Sequence, residues 1–141
     1  MNANTVFAAV NLVALVGWLL IVLAPYSRAT RRLIDSMVLP VVLALVYAAV
    51  LVIAFLTVPQ IVWSLEGITE AMSDPWIMTL GWTHLVAFDL VAGTWMKLDS
   101  AKRKIRHRWM IVPYLLTFLL GPVGLLTYIL LRNFTQKGKK S

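Results

Sequence analysis

Four stretches of this chain, approximately residues 5–23, 33–57, 76–96 and 109–131, are apolar over close to the length an α-helix needs to cross a bilayer, which is ~20 residues for about 30 Å of hydrocarbon. They are separated only by short polar breaks. Within 141 residues, 60% of them hydrophobic, nothing is left over for a separate extramembrane domain. The expectation is an all-α integral membrane protein, a single domain over residues 1–141 with four transmembrane helices, embedded in a lipid bilayer.

Charge gives the orientation. Arg28, Arg31 and Arg32 lie between the first two spans, and Lys97, Lys102, Arg103, Lys104, Arg106 and Arg108 follow the third, whereas the connection holding Glu66, Glu70 and Asp74 carries no Lys or Arg. Basic loops stay cytoplasmic, so the acidic connection and both termini are expected outside. The tail conflicts with this, because Arg132, Lys137, Lys139 and Lys140 would then be external. Gly121-Pro122-Val123-Gly124 divides the last apolar stretch into two short pieces, which on length alone also suit a re-entrant hairpin. The favoured expectation is a fourth crossing kinked at Gly121-Pro122, since proline in a membrane helix is tolerated when neighbours satisfy the freed carbonyl.

The excess of 13 Lys and Arg over 6 Asp and Glu would suggest nucleic acid in a soluble protein. In an apolar chain the same excess marks cytoplasmic loops and anionic headgroups, and no nucleic-acid partner is expected. The chain has no cysteine, which excludes disulfides, thiolate catalysis and thiolate metal sites. No Lys or Arg precedes the first apolar run, and that run exceeds the roughly 7–15 residues of a signal-peptide core. It is therefore read as the first span, with no transit peptide before it. Phosphate-binding loops, dinucleotide fingerprints and nucleophile elbows are absent, so no cofactor is implied.

Polar residues inside the apolar spans are what remain to carry chemistry. In the second span Pro40 is expected to kink the helix and Asp35 to pair with Arg31 or Arg32. Ile61, Leu65, Ile68 and Met72 recur at helical spacing, consistent with a short amphipathic helix on the membrane surface. Ser73-Asp74-Pro75 reads as a capped helix start. Asn11, in the first span, suits an interhelical hydrogen bond, with a part in ligand binding as the alternative. Trp18, Trp82 and Trp95 suit either packing or the lining of an apolar pocket, and Gly93, Gly121 and Gly124 permit close approach by another helix or a flat ligand.

His84 and Asp89 lie near the middle of the third span, where an ionisable side chain costs roughly 2.5–3.5 kcal/mol on insertion scales and usually faces a partner. Their five-residue separation turns them about 140° apart and about 7.5 Å along a helix. They would address separate points of a cavity or separate helix contacts, not grip one ion together, and no metal site is expected. General acid–base work suits both. The alternative is structural: Asp89 paired with a basic residue near the cytoplasmic end, and His84 hydrogen-bonded to a carbonyl or to Asn11.

Three segments carry a family resemblance: NLVALVGWLLIVLAP at 11–25, HLVAFDLVAGTWMKLD at 84–99 and FLLGPVGLLTYILLR at 118–132. They resemble the small multi-pass family of the plant abscisic-acid-deficient-4 protein, whose bacterial members are described as a domain of unknown function. The chain departs from the family pattern at Thr94, where a basic residue often follows the glycine corresponding to Gly93. The resemblance implies a protein that binds, or isomerises, a carotenoid or related isoprenoid. In the plant relatives neoxanthin forms from violaxanthin by opening of an epoxide and creation of an allene. That reaction needs a proton given to oxygen and one removed from carbon, and the resemblance makes His84 and Asp89 the candidates. The alternative it leaves is a non-catalytic subunit or assembly factor that uses the same surfaces on membrane-protein partners in a pigment–protein or biosynthetic complex.

Overall fold

The computed structural model describes residues 2–57 and 63–137. Ile61 of the amphipathic pattern and Lys139 and Lys140 of the tail lie outside the described residues. The described residues are helical, without strands: α1 (Ala3–Leu23), α2 (Arg28–Thr30) running into a π-helical turn (Arg31–Asp35), α3 (Val38–Thr57), α4 (Leu65–Ala71), α5 (Pro75–Lys102), α6 (His107–Leu120) and α7 (Pro122–Lys137). Three helices are long and apolar enough to cross a membrane: Ala3–Leu23, Arg28–Thr57 with its π turn, and Pro75–Lys102.

Local chemistry explains the helix ends. Asn2 caps α1, its Oδ1 accepting from Thr5 N at 2.9 Å. Asp74 Oδ1 accepts from Trp76 N and Ile77 N at 2.8 and 3.2 Å, and Pro75 occupies the first helical position, as the sequence predicts. Pro40 does not kink a helix. It lies in the first turn of α3, where its missing N–H has no intrahelical acceptor to lose, and the break comes just before it at Met37, with φ 60°. Asp35 also departs from expectation, pairing not with Arg31 or Arg32 but with Lys97 Nζ of α5 at 2.6 Å.

The central element is α5, whose 28 residues reach about 42 Å at 1.5 Å per residue. It touches α1 through two close approaches at glycine. A Cβ on Gly17 would lie 2.8 Å from a Leu90 methyl, and one on Gly93 would lie 2.7 Å from the Trp18 ring. Helices that share an apolar solvent associate through such van der Waals fit, because lipid tails offer no hydrophobic drive between them. The outward faces of α1 and α3 remain apolar, with Leu12, Leu45 and Phe55 among the exposed side chains.

The expected kinked fourth crossing is replaced by a reversal. Along α6, Thr117 reaches Met96, and Gly121 abuts Asp89. Along α7 the order on α5 runs the other way: Tyr128 packs against Trp95 and donates to Asp99 Oδ2, and Arg132 lies 3.5 Å from the same oxygen. The last apolar stretch is therefore an antiparallel helical hairpin of 14 and 16 residues. Each arm is shorter than the ~20 residues a crossing needs. The physical reason is Gly121, whose φ of 47° and ψ of −97° turn the chain sharply in a conformation that L side chains rarely adopt. Its N–H still donates to Thr117 O at 2.8 Å, closing α6 before the turn.

Gly124 lets the two arms meet, since a Cβ there would collide with the Thr117 backbone. Gly124→Ala is expected to destabilise the purified protein by about 1–3 kcal/mol through overpacking. Thermal unfolding in mild detergent measures it, and an unchanged midpoint would contradict the close packing of the hairpin.

Candidate functional site

The tip of the hairpin, α1 and α5 enclose an apolar cavity of about 540 Å³. This lies within the usual ~300–1,000 Å³ of ligand pockets. Leu15, Trp18, Leu85, Val86, Phe118 and Leu119 supply most of its wall, with Asn11, Trp82, Asp89 and Gly121 also lining it. α1 presents Asn11, Ala14, Leu15 and Trp18 because these positions recur three and four residues apart and share one helix face. α5 contributes Trp82, Leu85, Val86 and Asp89 by the same spacing.

The polar groups of the cavity differ in how far they are already engaged. Asn11 Nδ2 donates to Phe7 O at 2.8 Å and its Oδ1 accepts from Trp82 Nε1 at 3.1 Å, so the amide is held in one orientation and fastens α1 to α5. This interhelical role is the one the sequence favours for Asn11. Trp82 is fixed as well, its ring 5.6 Å from that of Phe7. Asp89 is different. Half-buried on the cavity wall, it makes no hydrogen bond or ion pair with another described residue, and its Oδ1 would lie 2.8 Å from a Cβ at Gly121. The residue after Gly121 begins α7, so the carboxyl group stands near the positive end of that helix's dipole.

His84 lies elsewhere. Its ring packs 5.6 Å from Tyr47 on α3 and 4.8 Å from Phe88, on an exposed face of the bundle outside the cavity. It does not reach Asn11, whose amide is occupied by Phe7 and Trp82. The helical geometry read from sequence, which sets His84 and Asp89 on different faces, matches this arrangement. Asp89 also lacks the basic partner that the structural alternative assigned to it. Two of the cations near the end of α5 are engaged closer at hand: Lys97 holds Asp35, and Arg103 Nε holds Asp99 at 2.7 Å.

The remaining sequence candidates fall into two groups. Trp18, Trp82 and Gly121 line the cavity. Gly93 serves it indirectly by leaving room for the Trp18 ring, which also meets Phe118 at 5.8 Å. Trp95 and Gly124 are outside it: Trp95 stands edge-on to Tyr128 at 5.5 Å, and Gly124 packs the hairpin. Phe118 and Leu119 are cavity residues that sequence reading leaves unassigned. The signal for them was their place just before the Gly-Pro turn, which becomes informative only once that turn is a reversal.

These features define a bundle of membrane-length helices around an apolar pocket with one unpartnered carboxyl group. The chain belongs to the ABA DEFICIENT 4-like family, whose model matches residues 5–128. It is 25% identical over 134 residues to Protein ABA DEFICIENT 4, chloroplastic, of Arabidopsis thaliana, an alignment covering 89% of this chain and 60% of the relative. The chain thus spans about three fifths of that relative's length. No solved structure matches it significantly.

A carboxyl group kept in an apolar wall without a partner is a cost to the fold, typically about 1–3 kcal/mol for an unsatisfied polar group. Asp89→Leu is therefore expected to raise the thermal midpoint of the purified protein, although it removes the only ionisable side chain among the described residues lining the cavity. A lower midpoint would mean that Asp89 holds the hairpin in place.

Proposed function

We propose that this chain is a polytopic membrane protein that binds a carotenoid or related isoprenoid at the Asp89 cavity and isomerises its oxygenated end. The observation that carries the reading is the free carboxyl group in an apolar, aromatic wall. Family membership adds a link to a plant protein named for abscisic acid deficiency. The cavity volume suits one end of an elongated isoprenoid, leaving the rest of the molecule among lipid tails.

A single carboxyl group suffices for the two proton steps of an epoxide-to-allene isomerisation. As the acid, Asp89 gives its proton to the epoxide oxygen while the carbon–oxygen bond breaks. As the carboxylate, it takes a proton from the neighbouring carbon, and the released C–H pair forms the new double bond. The acid is regenerated, with no change of oxidation state and no co-reactant. His84, outside the cavity, has no part in this scheme, so the two-residue assignment drawn from the family resemblance becomes one residue here. Asn11 and Trp82, already bonded to each other, shape the wall against which the end group is oriented.

In the bilayer we read α1, the helix through α3, and α5 as three crossings, with the α6–α7 hairpin re-entering from the basic side. This removes the charge conflict in the tail. Support comes from the ends of the helices: the Arg28–Arg32 turn, the α5–α6 loop and Arg132 all lie at the end of the bundle where His107 meets Val22 O and Asp99 meets Arg132. The amino terminus is then external, and the basic loops and the carboxyl end are cytoplasmic in a bacterial inner membrane.

The absence of native cysteine makes the topology simple to test. Single cysteines at Leu65 and Phe134, both exposed, should react with an impermeant maleimide from opposite sides of intact cells and inverted vesicles. Labelling from the same side would restore a fourth crossing.

For the ligand, the protein is expressed in a carotenoid-producing host, purified in mild detergent, and its extracted pigment analysed by absorption and chromatography. Bound carotenoid is expected at near-stoichiometric yield. Asp89→Asn should retain the pigment while losing product by 10²-fold or more, the usual scale of a removed acid–base group, and His84→Ala should leave turnover within a factor of two or so. A colourless preparation that brings down other membrane proteins would favour the subunit or assembly-factor reading instead.

A further inference from the structure

The cations among the described residues are gathered at one end, and most of them have no acidic partner there. The two aspartates there are already taken: Asp35 by Lys97 at 2.6 Å, and Asp99 by Arg103, Tyr128 and Arg132. Arg28, Arg32, Arg106 and Arg108 are exposed and have no acidic partner among the described residues. They come from two segments far apart in sequence, the α2 and π turn after α1 and the start of α6, that the fold draws together. A ring nitrogen of His107, at the start of α6, lies 2.9 Å from Val22 O near the end of α1, and the His107 ring meets the Tyr26 ring at 6.2 Å. The result is that both groups of arginines lie at the same end of the bundle, forming a basic rim.

We infer that this rim is a binding surface for anionic phospholipid headgroups. Charge complementarity supplies the first argument, since an unneutralised set of guanidinium groups attracts phosphate and recognises it in bidentate geometry. Position supplies the second. The rim lies where the apolar helices begin, and it is bordered by exposed aromatic side chains, Tyr26 and Trp109, of the kind found at headgroup level. The Arg108 guanidinium lies 5.6 Å from the Trp109 ring centroid, so cation and aromatic ring are presented together. Exposed Leu23 and Val112 continue the apolar surface away from the rim, providing a wall for acyl chains that free phosphate would not use.

A topological signal requires only that these charges be counted during insertion. A lipid surface requires that the folded protein hold them together, and the contact between His107 and Val22 does so. The inference is independent of the carotenoid reading, because none of its residues lines the Asp89 cavity.

The test uses the full chain in detergent micelles containing equal amounts of phosphatidylcholine and phosphatidylglycerol, where insertion direction plays no part. Lipids retained by the protein are identified by native mass spectrometry. The wild-type chain is expected to retain phosphatidylglycerol in about tenfold or greater preference, falling as salt is raised past a Debye length of about 8 Å. The combined variant R28Q/R32Q/R106Q/R108Q should retain the two lipids in the ratio supplied, because each near-surface cation contributes about fivefold to such attraction. His107→Ala, which leaves those four arginines in place, should weaken the preference without abolishing it. Inorganic phosphate should compete no better than chloride at equal ionic strength. Equal retention of both lipids by the wild type, an undiminished preference in the arginine variant, or specific displacement by phosphate would each overturn the inference.

Discussion

A single backbone reversal at Gly121 governs the shape of this molecule. With φ at 47° the chain leaves α6 and enters α7 travelling the opposite way, and three consequences follow at once. Asp89 receives the turn itself as its neighbour. Phe118 and Leu119 are delivered to the wall of the cavity. Tyr128 and Arg132 return to Asp99, so the hairpin is fixed to α5 at its open end as well as at its tip. A helix continuing straight through residue 121 would forfeit all three.

The bundle around this turn is held by contacts suited to an apolar solvent. Gly17 and Gly93 bring α1 against α5 closely enough for Leu90 and Trp18 to fill the space, and one hydrogen bond, from Trp82 to Asn11, fixes how the two helices are turned relative to each other. The ion pairs among the described residues lie at one end. There Lys97 and Asp35 join α5 to the π turn, and Asp99 joins it to α7. Such pairs fix register more than they add stability, because drawing charges out of water offsets much of their attraction.

Much of this was legible in the residues, and the failures have identifiable causes. The first three apolar helices could be read from length alone, the Asp74 cap from its spacing, and the separation of His84 from Asp89 from helical rotation. The hairpin could not be settled that way. Two short apolar pieces about a Gly-Pro pair satisfy the length arguments for a kink and for a turn equally, since the sign of φ at a glycine is not written in hydropathy. The basic tail was the one feature of the sequence that a fourth crossing left unexplained. The partner of Asp35 was missed for another reason: Lys97 is distant in the chain, and local spacing favours Arg31 and Arg32. Phe118 and Leu119 became visible as cavity residues only through the reversal.

The hairpin also has a bearing on how the protein is made. In a bilayer the turn at Gly121 would place non-helical backbone at depth, which is tolerated only where protein covers it. That cover is α5, with α1 beside it. If the hairpin re-enters the bilayer as proposed, its two arms have no stable place in lipid until α1 and α5 have met. The cavity then forms only when the hairpin docks, because Phe118, Leu119 and Gly121 complete a wall that α1 and α5 leave open.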